Sequence, residues 1–508
     1  MSVAQVKAIS LLGLVGEVVL VESDISDGLP SYSLLGLPDA ALNESRDRVR
    51  AAIVNSELNW PNRKVVVSLS PAWLPKSGSS FDLPIALSLL SAQGAIPEEG
   101  LQETIFIGEL ALDGSIRSIR GVLPILIAAL RAGIKRAVIP SANIEESSLL
   151  TGINSIGMSH LRDVVEWLRN GAPDVARANV SESKFTHENQ ADFADVAGQK
   201  SARFAAEISA VGGHHLLMIG APGAGKTMIA QRLPSILPEL STDAAIEVSA
   251  MHSIAGGFAQ RSPLSLLPPF VAPHHSASRV AIVGGGASVI RPGACSLAHN
   301  GVLFIDEAPE CDAGILDSLR QPLESGNISI SRSIGTVIFP AQFLLVLAAN
   351  PCPCGKFLGR GRNCTCSSLQ VRRYLAKLSG PLMDRIDLKI EVDSISRSEF
   401  SAMQSGESSS QIRARVIAAR ARAAERFAQF SWQLNSQIPS QALRRDFAPE
   451  RSALNFLHDE LDRERITARG LHKIIRVAWS IADLRGGKVP TLEDVQLAHS
   501  LREKGRAI

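Results

Sequence analysis

The N-terminal third of the chain alternates short apolar runs with longer stretches that have helical spacing. Apolar residues recur every three or four positions over 39–54 and 82–92, which predicts two helices. Three apolar runs have the length of strands, and these are 65–69, 105–110 and 137–139. We therefore predict a domain over residues 1–170 that is α+β, with α/β as the alternative.

The pattern changes after residue 170. Polar residues dominate 171–191, a composition typical of linkers. Continuous apolar runs then follow at 216–219, 302–305 and 343–349. Runs without alternation are typical of parallel strands buried on both faces. We predict an α/β core over 192–391 and, because helical spacing dominates beyond it, a helical lid over 392–508.

Two hairpins are predicted within the α/β core. Residues 328–339 alternate apolar and polar positions on either side of a turn at 332–335, which predicts a β-hairpin with its tip there. The segment 270–298 interrupts a helix and predicts an inserted hairpin. It contains His274 and His275, which have no partner at metal-ligand spacing, so we expect a structural or inter-subunit role for them.

Composition and charge exclude several classes of protein. The 508 residues include 52 basic and 50 acidic side chains, a net charge of +2, so any nucleic-acid surface must be local. No run of eighteen apolar residues occurs, which predicts no membrane span. Residues 8–16 resemble the core of a signal peptide, but Glu17 interrupts them and no cleavage site follows. Six cysteines in so long a chain do not indicate a disulfide framework, and we expect a cytoplasmic protein.

The sequence GAPGAGKT at 220–227 fits a phosphate-binding loop, since an apolar run precedes it and a helical stretch follows. Glycines allow backbone N–H groups to surround phosphate oxygens. Lys226 would reach the β- and γ-phosphates of ATP, and the Thr227 hydroxyl would bind Mg²⁺. The predicted nucleotide-binding residues are Gly220, Ala221, Pro222, Gly223, Ala224, Gly225, Lys226 and Thr227.

Two later apolar runs end in polar residues that suit ATP hydrolysis. Asp306 and Glu307 follow the run at 302–305. Asp306 would complete the Mg²⁺ shell, and Glu307 would polarise the attacking water. Asn350 follows the run at 343–349 and can hydrogen-bond that water or the γ-phosphate. Because α/β sheets bind ligands at the carboxyl ends of their strands, these residues predict an ATPase.

Cys352, Cys354, Cys364 and Cys366 place four thiols within fifteen residues. Such a set can form a tetrahedral zinc site, and the alternative is free cysteines in an exposed loop, since C-x-C pairs are less usual than C-x-x-C. The surrounding segment 351–373 carries five basic residues and no acid, which fits either a solvated loop or a phosphate-contacting surface. The candidate DNA-binding residues are Arg332, Arg360 and Arg362.

The segments 75–80 and 108–135 resemble the Lon-type protease domain, in which a lysine activates a serine nucleophile. Ser80 falls on the serine position, but the lysine position falls on Leu123, which cannot accept a proton. We therefore expect a Lon-like domain that is not catalytic and serves as a scaffold or coupling domain.

The combination of motifs resembles the ComM/YifB family of magnesium-chelatase-like AAA+ ATPases over almost the whole chain. The segments that carry the resemblance are 81–86, 273–275, 284–286, 296–303, 379–382 and the paired C-x-C elements. The resemblance implies an AAA+ ATPase core with a helical lid, assembled as a homohexamer. It also implies a DNA-dependent motor that promotes branch migration when incoming DNA recombines during natural transformation.

The AAA+ resemblance assigns roles to two arginines. Arg385 would act as an arginine finger that faces the γ-phosphate of the neighbouring subunit; the alternative is a surface ion pair with Asp384 or Asp387. Arg469, at the start of a helix that runs to about residue 484, matches the lid arginine that contacts the nucleotide. Arg476, two turns further on, is the alternative.

Two other functions remain as alternatives. A magnesium-chelatase motor subunit would use the same ATPase core to drive a partner protein, but such subunits normally lack the N-terminal domain and the four-cysteine loop. A Lon-like protease is disfavoured by Leu123.

Overall fold

The computed structural model describes residues 3–36, 39–76, 78–171, 191–196, 198–257, 265–286, 290–332, 335–357, 364–393 and 406–504. Most of the predicted linker, the hairpin tip at 333–334 and the candidates Arg360 and Arg362 lie outside these residues. Within them, no helix combines the length and the apolar character that a membrane crossing requires.

The N-terminal unit is built on a mixed seven-stranded sheet. Its strands are β1 (Ala4–Leu12), β2 (Val15–Ser26), β3 (Ser31–Leu35), β4 (Lys64–Ser70), β5 (Thr104–Phe106), β8 (Arg136–Pro140) and β9 (Asn154–Met158). Two further strands, β6 (Glu109–Leu110) and β7 (Ile116–Arg117), form a separate two-stranded ladder. The order across the sheet is β3-β4-β2-β1-β5-β8-β9. The run predicted as one strand at 105–110 divides into β5 and β6 on either side of Gly108, where a Cβ would lie 2.7 Å from Ile116 Cγ2.

Helices cover both faces of this sheet. Those of the N-terminal unit are Ala40–Asn43, Ser45–Asn55, Asp82–Ala92, Val122–Arg131, Ile144–Ser147 and Leu161–Asn170. Asp82–Ala92 is buried along its whole length in the larger of two apolar clusters, and Val122–Arg131 lies in the other. The helix predicted at 39–54 is interrupted near Glu44, and the one predicted at 82–92 is confirmed.

The second unit contains a five-stranded parallel sheet of order β11-β14-β17-β10-β18 and two hairpins. Its strands are β10 (Leu216–Gly220), β11 (Phe270–Val271), β12 (Gly284–Gly285), β13 (Arg291–Pro292), β14 (Val302–Ile305), β15 (Asn327–Arg332), β16 (Gly335–Pro340), β17 (Leu344–Ala349) and β18 (Leu388–Val392). Every residue of β14 and β17 is buried, as expected for parallel strands covered on both faces. The predicted hairpins are present as β12–β13 and β15–β16.

Helices flank the parallel sheet and form the C-terminal part of the chain. Those around the sheet are Lys200–Gly212, Lys226–Ile236, Thr242–Ala255, Arg279–Val283, Ala294–Leu297, Ala313–Ser318, Arg320–Ser325, Ser368–Ala376 and Gly380–Met383. Those of the C-terminal part are Ser409–Arg426, Ser440–Arg445, Arg451–Asp462, Ala468–Arg485 and Leu492–His499. Their apolar residues share one cluster with one face of the sheet, so lid and core pack as one body.

Leu123 lies where the N-terminal unit contacts the second unit. Its side chain is fully buried in a small cluster with Leu149 and Ala250, and its backbone N–H donates to Glu146 at 3.1 Å. Glu146 also accepts a hydrogen bond from the Ser253 hydroxyl of the second unit, and burial raises the pKa of its carboxyl. The residue at the lysine position of the Lon-type domain therefore has a packing role.

A buried ion pair fastens the lid to the core. Lys473 Nζ lies 2.8 Å from Asp387 Oδ1, and both side chains are almost fully buried. Asp387 also accepts from the backbone N–H of His215, at 3.3 Å, just before β10. Burial would raise the pKa of Asp387, but the Lys473 ammonium and His214 hold it well below its usual value. The pair therefore joins the helix Ala468–Arg485, β10 and the start of β18.

We expect Asp387→Asn to destabilise the lid–core unit by about 3–5 kcal/mol, because it leaves the buried Lys473 ammonium unpaired. Urea unfolding of Asp387→Asn, Lys473→Met and the double variant measures this. The double variant should lose less than the sum of the single losses. Asp27→Asn is the matched control, because Asp27 pairs with Arg63 at the surface and such pairs contribute about 0–1 kcal/mol. Equal losses for Asp27→Asn and Asp387→Asn would contradict the assignment.

The same pair has a pH dependence of known sign. Because the pKa of Asp387 is lower in the folded protein, its stabilisation is complete above the unfolded pKa of about 3.9 and is lost as the pH falls below it. The stability difference between wild type and Asp387→Asn should therefore shrink below about pH 4.

Candidate nucleotide site

The phosphate loop connects β10 to the helix Lys226–Ile236 in the conformation that anion binding requires. Gly223 and Gly225 have φ angles of +77° and +91°, which glycine adopts without strain. A Cβ on Gly220 would lie 2.4 Å from the carbonyl oxygen of Val392, so close packing against β18 also requires glycine there. Backbone N–H groups at the start of the helix can bind phosphate oxygens.

Lys226 is positioned by oxygen atoms of the loop and of the next strand. Its Nζ donates to the carbonyl oxygens of Gly220 at 2.7 Å and Ala221 at 2.9 Å, and to Asn350 Oδ1 at 3.1 Å. Burial lowers the pKa of Lys226, and the carboxylates of Asp306 and Glu307 oppose that shift. The predicted Lys226 and Asn350 therefore meet at one sheet edge.

Thr227 and Asp306 form the pair of oxygen ligands predicted for Mg²⁺. Thr227 Oγ1 donates to Asp306 Oδ2 at 2.7 Å, across 79 positions of sequence. Hydroxyl and carboxylate oxygens are the donors that Mg²⁺ prefers, so these residues fit the ion. When bound with ATP, Mg²⁺ would bridge phosphate oxygens and neutralise their charge.

Glu307 is held in an uncommon backbone conformation and contacts a histidine. Its φ of +49° is rare for a residue with a side chain, and such strain is concentrated at functional sites. Its Oε2 lies 3.2 Å from His275 Nδ1, and its backbone N–H donates to Asp306 Oδ1 at 2.9 Å. The ring of His274 stacks on that of His275, with centroids 4.1 Å apart.

The contact between His275 and Glu307 is a feature that the sequence analysis missed. His275 follows β11 and Glu307 follows β14, and these two strands are parallel neighbours. Residues that follow adjacent parallel strands meet at the same sheet edge. The sequence signal for β11 is the apolar pair at 270–271, which is too short to be recognised as a strand from its spacing.

Gln199 is a second missed contact of the phosphate loop. Its side-chain amide donates to the carbonyl oxygen of Ala224, and its φ of +47° is left-handed. The residue lies directly before the helix Lys200–Gly212, and its amide also donates to the carbonyl oxygen of Asp393, after β18, at 3.4 Å.

The candidate arginines lie together on Asp384. Arg385 forms ion pairs with Glu324 and, at 3.3 Å, with Asp384, and Arg469 pairs with the same Asp384. Neither has a polar contact with the phosphate loop among the described residues. The alternative Arg476 is engaged elsewhere, because its guanidinium donates twice to the carbonyl oxygen of Ile438, at 2.9 and 2.6 Å.

The four cysteines converge as a metal site requires. The Sγ atom of Cys352 lies 3.4 Å from that of Cys354 and 3.6 Å from that of Cys364, and all four Sγ atoms, that of Cys366 included, lie within 4.8 Å of one another. A tetrahedral ion with bonds of about 2.3 Å requires sulfur atoms about 3.8 Å apart. The donor set therefore fits one metal ion.

Arg332 is the last residue of β15 and is exposed. It donates through Nε to Gly286 of the other hairpin at 3.3 Å and through Nη1 to the Ser331 carbonyl at 2.9 Å. The inward residues of the hairpin (Ile328, Ile330, Val337 and Phe339) are buried in the core. The hairpin is therefore anchored through this face, and Arg332, two positions after Ile330 on the same face, is exposed at the end of the strand.

Ser80 has no basic partner among the described residues. The nearby Lys76 is buried, and its ammonium donates to the carbonyl oxygen of Pro71, while the adjacent Ser79 donates to Glu109. These groups line a cavity of about 1060 Å³ that also contacts Arg291 of the second unit.

Three family models match the chain in succession. They are the subunit ChlI of Mg-chelatase over residues 21–143, the magnesium chelatase subunit ChlI over 192–400 and the C-terminal part of that subunit over 406–502. A Lon protease of Mycolicibacterium smegmatis is 27% identical over 141 residues, which are 27% of this chain and 18% of that protease. The Lon-like resemblance is therefore partial and distant.

Relatives extend over nearly the whole chain. An uncharacterized protein of Mycobacterium tuberculosis is 47% identical over 505 residues, 99% of each chain. Competence protein ComM of Haemophilus influenzae is 40% identical over 497 residues, 96% of this chain and 94% of the relative. Uncharacterized protein YifB of Escherichia coli is 38% identical over 511 residues, 100% and 98% of the two chains. The chain belongs to the ComM/YifB family of magnesium-chelatase-like AAA+ ATPases.

We expect His275→Ala to raise ATP turnover severalfold in the absence of any partner, because Glu307 is then released from its contact with the His275 ring. The affinity for ATP should stay unchanged, since His275 does not touch the phosphate loop. His275→Asn, whose amide can replace the Nδ1–H donor, should behave like wild type. Glu307→Gln serves as the control and should bind ATP without hydrolysing it. Steady-state turnover and equilibrium binding distinguish these outcomes. Equal turnover in wild type, His275→Ala and His275→Asn would contradict the role of His275.

Proposed function

We propose that the protein is an ATP-hydrolysing motor that acts on DNA as a homohexamer. Its function would be branch migration during recombination of incoming DNA in natural transformation. The observation that carries the proposal is the anchored hairpin β15–β16, which presents Arg332 outside the ATPase core. The name of the Haemophilus influenzae relative, competence protein ComM, supports the same process.

The ATPase chemistry would be divided among the residues of the sheet edge. Lys226 binds phosphate oxygens, Thr227 and Asp306 hold Mg²⁺, and Glu307 accepts a proton from the attacking water. Asn350 orients that water or the γ-phosphate. Lys226 and Asn350 are already in contact, and so are Thr227 and Asp306, so little reorganisation is needed.

Arg385 and Arg469 would complete the site of a neighbouring subunit. Both contact Asp384 and are held away from the phosphate loop of their own chain. A guanidinium that reaches the γ-phosphate from the next subunit would stabilise negative charge in the transition state. This arrangement makes hydrolysis depend on ring assembly.

The four-cysteine cluster would hold a structural Zn²⁺ ion. The sulfur spacing fits a tetrahedral site, and thiolates are ligands that Zn²⁺ prefers. Lys356, next to the cluster, and Arg332 would add to the phosphate-contacting surface, as would Arg360 and Arg362. The localisation that fits such a motor is the cytoplasm.

A magnesium-chelatase-type motor subunit that drives a partner protein is the second candidate. It is favoured by the match of residues 192–400 to the magnesium chelatase subunit ChlI. The two candidates differ in what stimulates ATP turnover, which is DNA for one and a partner protein for the other.

We expect single-stranded or forked DNA to stimulate ATP turnover, with an effect that falls steeply with salt. Binding weakens by about 0.9 log units per log unit of salt for each duplex phosphate neutralised. Arg332→Ala should lower the stimulation and reduce the salt slope by about one. Arg131→Ala, which removes an exposed arginine from the N-terminal unit, is the matched control. A turnover that no DNA changes at any salt concentration would contradict the DNA motor and favour the chelatase-type function.

We expect Arg385→Ala to bind ATP normally and to lose about 10³-fold or more in turnover, because its guanidinium acts on the neighbour's nucleotide. Rings mixed from wild-type and Arg385→Ala subunits should fall below the weighted mean of the two rates. Arg320→Ala, which removes a neighbouring exposed arginine, is the control. A strictly linear dependence on the mixing ratio would remove Arg385 from this role.

A further inference from the structure

The four-cysteine cluster is in direct contact with the nucleotide site. Gly355, which follows Cys354, packs against Pro222 of the phosphate loop so closely that a Cβ on Gly355 would lie 2.5 Å from Pro222 Cδ. Its φ of +73° and a hydrogen bond from its N–H to the Cys352 carbonyl, at 2.9 Å, fix this turn. The position of Cys354 therefore constrains the position of Pro222 in the phosphate loop.

A second connection runs through Asn350. Cys352 is fully buried two residues after Asn350, whose side chain accepts from Lys226 at 3.1 Å. The backbone N–H of Asn350 lies near the hydroxyl of Tyr374, where it lowers the pKa of that hydroxyl against the larger effect of burial. Asn350 is thus held on one side by the chain that leads to the first cysteine pair.

The second cysteine pair holds the other side of Asn350. Tyr374 lies on the helix Ser368–Ala376, which Ser367 caps directly after Cys366. Glu310, three residues after Glu307, also lies near Tyr374, and burial together with that carboxylate raises the pKa of Tyr374 to about 12. A metal ion bound by all four thiolates would therefore tie together the two segments that enclose Asn350.

From these contacts we infer that the metal-bound cysteine cluster braces the nucleotide site, so that metal binding raises the affinity for ATP. Gly355 and Tyr374 act as positioning residues, since they touch Pro222 and Asn350. The inference rests on the proposed metal site and on the proposed binding of ATP. Because coupling between two sites is reciprocal, ATP must also raise the affinity for the metal by the same factor.

The direct test compares protein with and without its metal. The metal content is measured by elemental analysis, and the affinity is measured with a fluorescent ATP analogue under equilibrium conditions, so hydrolysis is not required. We expect removal of the metal by a chelator to weaken binding about tenfold, within the usual range of coupling between sites, and added Zn²⁺ to restore it. Equilibrium competition with a chromogenic chelator should show about tenfold tighter metal binding when ATP is present.

Gly355→Ala tests the contact with the phosphate loop separately from metal binding. It should retain one metal ion per chain and yet bind ATP about tenfold more weakly, because the new methyl group displaces Pro222. Gly133→Ala is the matched control, since Gly133 has a similar φ of +78° with no atom within 4 Å of the added Cβ. It carries the same backbone strain without the contact, and its affinity for ATP should equal that of wild type.

The outcomes distinguish this inference from the proposals on which it rests. A chain that binds no metal when purified or reconstituted refutes the metal site and the brace with it. A chain that binds metal but has the same affinity for ATP with and without it refutes the brace and leaves the metal site intact. A metal-loaded chain that does not bind ATP refutes the proposed ATPase. Normal binding by Gly355→Ala would also overturn the brace.

Discussion

The register of the buried parallel strands determines where every residue of the nucleotide site lies. Ile219 of β10 pairs with Ala349 of β17, and Leu347 of β17 pairs with Ile305 of β14. This pairing brings the ends of the three strands to one edge, with β17 in the middle, and places the phosphate loop beside the polar residues that follow β14 and β17. The contacts Thr227–Asp306 and Lys226–Asn350 follow from it. A shift of one residue in this register would separate both pairs.

The sequence predicts this part of the fold well because its signals are local. An apolar run and the glycines after it identify β10 and the phosphate loop, and the same reasoning identifies β14, β17 and the hairpin β15–β16. The contacts His275–Glu307, Lys473–Asp387 and Gly355–Pro222 could not be predicted. They join residues distant in sequence, and each depends on which elements become neighbours in the folded chain. The sequence shows four closely spaced cysteines, but it does not show that the segment holding them touches the phosphate loop.

The buried pair of Asp387 and Lys473 connects the lid to the residues proposed to act between subunits. Asp387 lies two positions after Arg385 and starts the strand β18 that pairs with β10. Lys473 lies one turn after Arg469 on the helix Ala468–Arg485. The ion pair therefore fixes two arginines relative to each other, and Asp384 between them holds both side chains. If the lid moved, both arginines would move together, so they are expected to respond to the same nucleotide.

The N-terminal unit is positioned to sense that movement. Leu123 packs on Ala250 of the helix Thr242–Ala255, and the turn between β1 and β2 meets the hairpin β15–β16 where Gly13 approaches Val337. A catalytic lysine at residue 123 would have to leave a charge in this apolar contact, at considerable cost. In a DNA motor, force on Arg332 would be transmitted through Val337 to the N-terminal unit, which would give that domain a coupling role without any chemistry of its own.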